Sequence, residues 1–148
     1  MNTEMTSRRI SVYSAIACVL ATIGCGPRYQ VAEVSGTLKV QGAPADKVRL
    51  QFIPQEVQGR TGPFSTGETD SQGKFTLTLV EKSADEVKTS PGAVVGRHRV
   101  VLTDLRLAES STGKGVPIRF DQKYSQIGGS PLFQEVKPGK QTLELSVP

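Results

Sequence analysis

Strict alternation of apolar and polar residues marks the stretch that decides the fold, which reads Val34-Ser35-Gly36-Thr37-Leu38-Lys39-Val40. Successive side chains of an extended strand point to opposite faces, so a period of two gives one apolar and one polar face. The same pattern returns in the runs 48–52, 75–79, 98–102 and 143–147, and more weakly in 116–120. These runs predict antiparallel strands that cover a shared core.

Turn-forming sequences separate the runs. They stand at 41–44 after the first run, at 70–73 before the third, at Gly96 before the fourth and at 137–140 before the last. Gly and Pro supply the backbone angles that tight turns need. The spacing predicts an all-β fold, a single antiparallel β-sandwich of about seven strands. Residues 83–88 are the one segment that could hold a helical turn.

The composition supports one β domain and excludes several other classes of protein. Of the 148 residues, 15 are Gly and 9 are Pro, a content that suits many short strands joined by turns. Hydrophobic residues make up 36% and aromatic residues 5%, which excludes a coiled coil and a polytopic membrane protein. With one His and two Cys we expect neither a disulfide scaffold nor a metal centre, and no cofactor.

The N-terminus has the three parts of a secretory signal peptide. Residues 1–9 are polar and end in Arg8 and Arg9, residues 10–23 carry no charge, and Gly-Cys-Gly-Pro follows at 24–27. The uncharged part is shorter than the ~20 residues of a comfortable membrane span. An uncleaved N-terminal anchor and a buried helix are the alternatives.

The sequence Thr22-Ile23-Gly24-Cys25 resembles a bacterial lipobox. The resemblance implies cleavage between Gly24 and Cys25, a lipid on the Cys25 thiol and an acylated new N-terminus. Two or more acyl chains anchor a protein stably, at ~0.8 kcal/mol per buried methylene group. Cys18 would leave with the signal, so Cys25 would be the sole Cys of the mature chain, which then has no intrachain disulfide. Residues 7–9 also resemble a twin-arginine signal, but the residues that follow favour general secretion.

These features divide the chain into a signal peptide at 1–24, a lipidated Cys with a short tether at 25–32, and a β-sandwich domain at 33–148. The partner implied is membrane lipid, held through acylated Cys25. Gly26 stands where the best-known sorting scheme places Asp in inner-membrane lipoproteins. We therefore expect an exported protein at the outer membrane rather than the inner membrane.

Three motifs resemble the carboxypeptidase regulatory-like and transthyretin-like sandwich family: 34–38 followed by Gly42, 69–75, and 96–100. Three motifs of the second half are similar to those of small lipoproteins from planctomycete bacteria: Lys123-Tyr124, Ser130-x-Leu132 and Val136-Lys137-x-Gly139. The resemblance implies a transthyretin-like sandwich over nearly the whole mature chain. It specifies the fold better than any activity.

Two residues could carry a function. Asp70, three residues before Gly73, could suggest a calcium loop, but one carboxylate cannot supply the six or more oxygen ligands of Ca²⁺. We interpret Asp70 and Gly73 as parts of a structural turn, with Gly73 at positive φ. His98 is the only His and falls on the apolar face of its run, so we interpret it as a core residue rather than a catalytic or metal-binding one.

The net charge and the position of the basic residues help to predict which partners the chain binds. There are 18 Lys and Arg against 14 Asp and Glu, a formal net charge of +4. Arg97, Arg99 and Arg106 are locally basic, but no aromatic residues alternate with a long basic run, so we expect no nucleic-acid partner. We interpret the basic residues as a solvated strand face, with anionic lipid or envelope polysaccharide as the alternative counter-surface.

The function that we expect is that of a non-enzymatic envelope lipoprotein whose β-sandwich is a structural or protein-interaction module. The loops 55–68 and 103–115 would carry its contacts. One alternative is a carbohydrate- or peptide-binding module, for which Tyr29, Tyr124 and Phe133 are the available aromatic residues. A second alternative is a small enzyme, which would need His98 open to a pocket beside a carboxylate or Ser.

Overall fold

A computed structural model describes residues 29–55, 62–110 and 115–148. The predicted signal peptide at 1–24, the cleavage site at Gly24 and the lipidation site Cys25 lie outside the described residues. The fold is all-β, which confirms the prediction from alternation. The described residues form twelve strands, one short α-helix (α1, Leu105–Glu109) and one 3₁₀ helix (Gln122–Ser125).

In chain order the strands are β1 (Val31–Ala32), β2 (Val34–Val40), β3 (Ala43–Pro44), β4 (Val48–Pro54), β5 (Phe64–Glu68), β6 (Lys74–Thr76), β7 (Thr78–Lys82), β8 (Val87–Pro91), β9 (Ala93–Val94), β10 (Gly96–Asp104), β11 (Phe133–Val136) and β12 (Gln141–Val147). Six of them form an antiparallel sheet in the order β11-β10-β4-β5-β7-β8. A second sheet is built around β2, which pairs with β12, β3 and β6. A two-residue ladder joins β1 to β9.

The apolar faces of the two larger sheets enclose the core. The second sheet contributes alternate residues of β2 and β12, and the six-stranded sheet contributes alternate residues of β4 and β10. The residues at the centre of this core are Leu38, Leu145, Leu50, Phe52, Val100 and Leu102. Burial of each large side chain stabilises the fold by roughly 1.5–3 kcal/mol, and the two facing sheets are consistent with a β-sandwich.

One strand pair departs from the predicted antiparallel arrangement. β12 runs parallel to β2, with Gln141 opposite Val34 and Val147 opposite Val40. Parallel neighbours need a long crossover connection, and here almost the whole domain separates the two strands in the sequence. A strand with one buried face alternates in the same way whatever the direction of its neighbour, so the sequence pattern could not reveal this pair.

The helical prediction for residues 83–88 is wrong, because Val87–Pro91 forms β8 at the edge of the six-stranded sheet. Helix α1 forms instead directly after β10, where Asp104 Oδ1 accepts a hydrogen bond from the Arg106 backbone N–H at 3.1 Å. This is the N-cap bond that starts a helix. The weak strand prediction at 116–120 is also wrong, because no strand forms there.

The run 75–79 does not form the single strand that its alternation predicts. β6 pairs with β2 in one sheet and β7 pairs with β5 in the other, so the chain crosses between the sheets at Leu77. The Leu77 backbone N–H donates to Val34 O at 2.9 Å, and its side chain is buried. The apolar side chains of β6 and β7 both point into the core between the two sheets. The alternation of apolar and polar residues therefore continues through the crossing.

The β structure begins inside the segment 25–32 that we expected to be a tether. Val31 and Ala32 form β1 and pair with Val94 and Ala93 of β9. The Val95 backbone N–H donates to Gln30 O at 2.8 Å, and Ala32 is buried. The domain boundary therefore lies before residue 33, because these backbone groups are already paired within the fold.

Candidate functional site

His98 is buried in the core, as its position on the apolar face predicts. Its exposed fraction is 0%, and its ring centroid lies 5.9 Å from that of Phe52. Nδ1 is 3.0 Å from Gly96 O on the same strand, while Nε2 has no hydrogen-bond partner among the described residues. Burial lowers the pKa of His98, against the opposite effects of the Gly96 carbonyl and Glu135. The neutral ring is therefore the stable form in the fold.

A nucleophile activated by His98 would require a hydrogen bond between the two groups. Ser65, on the neighbouring part of the inner face, is buried as well, but its Oγ has no partner in the described part of the chain. No carboxylate of that part hydrogen-bonds to either His98 nitrogen. Within the described residues, the groups that the enzyme alternative needs do not come together around His98.

Asp70 and Gly73 lie together in the turn between β5 and β6. Asp70 Oδ1 accepts hydrogen bonds from the backbone N–H groups of Gln72 at 2.8 Å and Lys74 at 2.9 Å. These bonds, the one from Lys74 first, lower the pKa of Asp70. Gly73 has φ +73°, and a Cβ atom there would lie 2.6 Å from Leu38 O. The carboxylate is thus engaged with the backbone of its own turn.

Of the three candidate platform residues, one is buried and two are half-buried. Tyr124 is only 8% exposed and packs with the core from the 3₁₀ helix. Phe133 is half-buried on β11, and the guanidinium carbons of Arg97 and Arg99 lie 4.4 and 4.6 Å from its ring centroid. Tyr29 is half-buried at the first described residue. The three aromatic residues do not present a flat exposed surface for a sugar ring.

Sequence reasoning missed an ionic network at the end of β10. The Asp104 side chain, 2% exposed, accepts two hydrogen bonds from Arg119, at 3.0 and 2.8 Å, and two from the Arg106 guanidinium, at 3.1 and 2.9 Å. Arg119 also donates to Asp46 Oδ1 at 3.0 Å and Asp46 O at 2.8 Å. Burial raises the pKa of Asp104, but the bonds from Arg106 and Arg119 outweigh it and hold the pKa at about 2.

This network holds three segments against the end of β10. It joins the start of α1, the segment that carries Arg119 and the connection between β3 and β4 to the end of β10. Both carboxylate oxygens are occupied by guanidinium donors of the same chain. We therefore interpret Asp104 as a structural residue, and Arg106 as its partner rather than a free basic residue.

A cleft of about 640 Å³ lies on the outer face of the six-stranded sheet. Ile53, Phe64 and Val80 come from three adjacent strands, while Ile127, 65% exposed, lines it from the loop after the 3₁₀ helix. Lys82 stands beside it, with Nζ 5.9 Å from the Phe64 ring centroid. The one sequence signal for this cleft is Ile53, which follows Phe52 and breaks the alternation.

The described residues contain no group of three or more His, Cys, Asp and Glu side chains that could hold a metal ion. Across residues 29–55, 62–110 and 115–148, no helix is both long and apolar enough to cross a membrane.

No protein-family model matches the chain, and neither a curated protein nor a solved structure resembles it.

Proposed function

We propose that the protein is an exported lipoprotein of the bacterial envelope, anchored through acylated Cys25, whose β domain is a non-enzymatic structural or protein-interaction module. The sequence Thr22-Ile23-Gly24-Cys25 supports the lipid anchor, and one geometric observation supports a position of the domain next to the membrane. Gln30 O is held by the Val95 backbone N–H at 2.8 Å, and Gln30 follows Cys25 by only five residues. A fully extended chain covers at most about 18 Å over that separation. A lipid on Cys25 would therefore keep the β domain next to the membrane.

The finer features of this function belong to the same proposal. Residues 1–24 are a signal peptide cut between Gly24 and Cys25, and the outer membrane is the favoured destination. The β domain is of the transthyretin-like and carboxypeptidase regulatory-like kind. Two facing sheets and the Asp70–Gly73 turn support this assignment.

The interaction surface that we assign to the module is the cleft lined by Ile53, Phe64, Val80 and Ile127. Its apolar side chains suit an apolar side chain of an envelope protein better than a polysaccharide. The burial of Tyr124 disfavours a carbohydrate platform. The burial of His98, and its hydrogen bond to a backbone carbonyl of its own strand, support a non-enzymatic role.

The two cysteines provide a matched test of the anchor. The full chain is expressed in an export-competent bacterium, and the membrane fraction is analysed by intact-mass spectrometry. We expect a mature chain that starts at acylated Cys25. Cys25→Ser should abolish the lipid mass and release the protein from the membrane fraction, whereas Cys18→Ser should behave as the wild type. A wild-type chain that retains Met1 without a lipid, or a soluble mature chain unaffected by Cys25→Ser, would refute the proposal.

A further inference from the structure

Two arginines share one aromatic ring on the outer face of the six-stranded sheet. Arg99 of β10 stands opposite Phe133 of β11, and Arg97 stands opposite Glu135. The guanidinium carbons of Arg97 and Arg99 lie 4.4 and 4.6 Å from the Phe133 ring centroid, within the range of a cation–π contact. Arg99 also donates to Ser130 O at 2.6 Å. Both guanidinium groups are therefore held in place by the protein.

These two arginines differ from the other arginines of the described residues in having no acidic partner. Arg49, Arg106 and Arg119 each form an ion pair with a carboxylate, at 2.6 to 3.0 Å. No carboxylate of the described residues lies within 4.0 Å of Arg97 or Arg99, although Glu135 is the cross-strand neighbour of Arg97. A guanidinium stacked on a ring keeps N–H donors at its edge, and their fork geometry matches the oxygens of a phosphate.

The arginines lie where the N-terminal chain joins the domain. Gln30 is bonded to Val95, two residues before Arg97 in the sequence. The turn at 137–140, with one lysine at each end, follows β11 at the same end of the sheet, because Val136 stands opposite Gly96. Lys140 forms an ion pair with Glu33 at 3.3 Å, while Lys137 has no carboxylate within 4.0 Å among the described residues. Excess positive charge therefore lies at the strand end that the Gln30–Val95 hydrogen bond joins to the N-terminal chain.

We propose that Arg97 and Arg99, stacked on the Phe133 ring, bind the phosphates of anionic phospholipid headgroups and so fix the orientation of the β domain on the membrane. This inference rests on the proposed function, which places the membrane within about 18 Å of Gln30. A basic residue at an anionic membrane surface contributes roughly a fivefold gain in association, and the gain falls within a Debye length. Two rigid cations next to the anchor are enough to favour one orientation of the domain.

The absence of Trp from the chain makes a single-fluorophore experiment practical. Phe133→Trp keeps an aromatic ring under both guanidiniums and introduces the sole Trp. The full mature protein is reconstituted in vesicles of phosphatidylcholine alone, or of phosphatidylcholine with 30% phosphatidylglycerol, each carrying a headgroup nitroxide quencher. We expect quenching of Trp to be at least twofold stronger on the anionic vesicles, and the difference to vanish in 0.5 M salt.

Arg97→Gln in this background should abolish the difference between the two vesicle types. The matched control is Arg49→Gln, which removes the same charge from the same face of the sheet. Arg49 stands opposite Thr103, at the far end of β10. It should leave the difference unchanged. Equal quenching on both vesicle types, or equal effects of the two substitutions, would overturn the inference. A response to inorganic phosphate without vesicles would also overturn it, in favour of a free-anion site.

The unsubstituted protein supplies an independent measurement. Modification of Arg97 by phenylglyoxal, followed by peptide mass spectrometry, should slow at least threefold on anionic vesicles relative to neutral ones, and modification of Arg49 should not. An equal rate of Arg97 modification on the two vesicle types would contradict the headgroup site. Flotation with neutral vesicles tests the lipid anchor separately. If the protein does not float with them, yet binds anionic vesicles through Arg97, then the anchor fails and the headgroup site stands.

Discussion

At the residue scale, Asp104 shows how strongly one buried charge depends on its partners. Its carboxylate is removed from water and compensated by two guanidinium groups, which come from α1 and from the segment that carries Arg119. Removal of one member of such a set leaves the others buried without compensation. The cost of that loss exceeds the net stabilisation that the intact pair supplies.

We expect Asp104→Asn to lower the free energy of unfolding by about 3–5 kcal/mol at neutral pH, because Arg119 would lose its buried counter-charge. The measurement is urea denaturation followed by far-UV circular dichroism. Asp46→Asn is the control, since the Asp46 side chain is 47% exposed and also pairs with Arg119. Asp46→Asn should lower the free energy of unfolding by no more than about 1 kcal/mol. Similar losses for the two variants would contradict the role assigned to Asp104.

At the scale of one element, β2 organises the second sheet because three strands meet along it. β12 lies parallel to it, and β6 and β3 pair with successive parts of it. Gly36 stands where β12 and the Phe75 ring both approach the backbone. A Cβ atom at Gly36 would lie 2.5 Å from Leu143 O and 2.6 Å from Phe75 Cζ. The glycine is therefore required by close packing rather than by a turn.

Gly36→Ala should destabilise the protein by about 1–3 kcal/mol, because either β12 or the Phe75 ring has to move. Thermal and urea unfolding would measure the loss. Gly128→Ala is the matched control, since a Cβ atom at Gly128 meets nothing within 4 Å. We expect its effect to remain within about 0.5 kcal/mol. If Gly36→Ala proved as harmless as the control, the packing of β2 against β12 would be other than described.

At the scale of the whole molecule, the free energy of unfolding responds to acid in two separate pH ranges. His98 acts in the higher range and Asp104 in the lower one. The pKa of His98 in the fold is below its ordinary value of 6.5. Its contribution to stability is therefore present above that pH and is lost as the pH falls below 6.5. The pKa of Asp104 is lowered from 3.8 to about 2, so its contribution is present above 3.8 and is lost as the pH falls toward 2.

We expect the free energy of unfolding to fall in two steps, one below pH 6.5 from His98 and one below pH 4, where Asp104 contributes about 2 kcal/mol. Asp70 and Asp121, whose pKa values are also lowered, add to the second step. Denaturation series between pH 7 and pH 2 would measure both steps. His98→Leu should remove the first step and keep the second. Parallel curves for this variant and the wild type above pH 5 would show that His98 is not the group that titrates.

The alternation of apolar and polar residues explains which parts of the fold could be predicted from the sequence. Alternation reports which face of a strand is buried, and the runs at 34–40 and 98–102 therefore appear in the fold as β2 and β10, with His98 inside. It does not report the neighbour of a strand, so the parallel pair of β2 with β12 and the crossing at Leu77 were missed. The same limit hid the cleft, because Ile53, Phe64 and Val80 come together only through the pairing of three strands.

The basic residues show the same division between local pattern and spatial arrangement. As a sequence, Arg97, Arg99 and Arg106 are equivalent charges on and after one strand, and the all-β class, the buried His98 and the Asp70–Gly73 turn follow from spacing alone. Only the folded chain separates the three, because it brings Asp104 and Arg119 to Arg106 but places the Phe133 ring under Arg97 and Arg99. Turn chemistry and burial are local properties that a few neighbouring residues determine. Charge compensation depends on side chains that are distant in sequence, and it is decided only when the sheets close around the core.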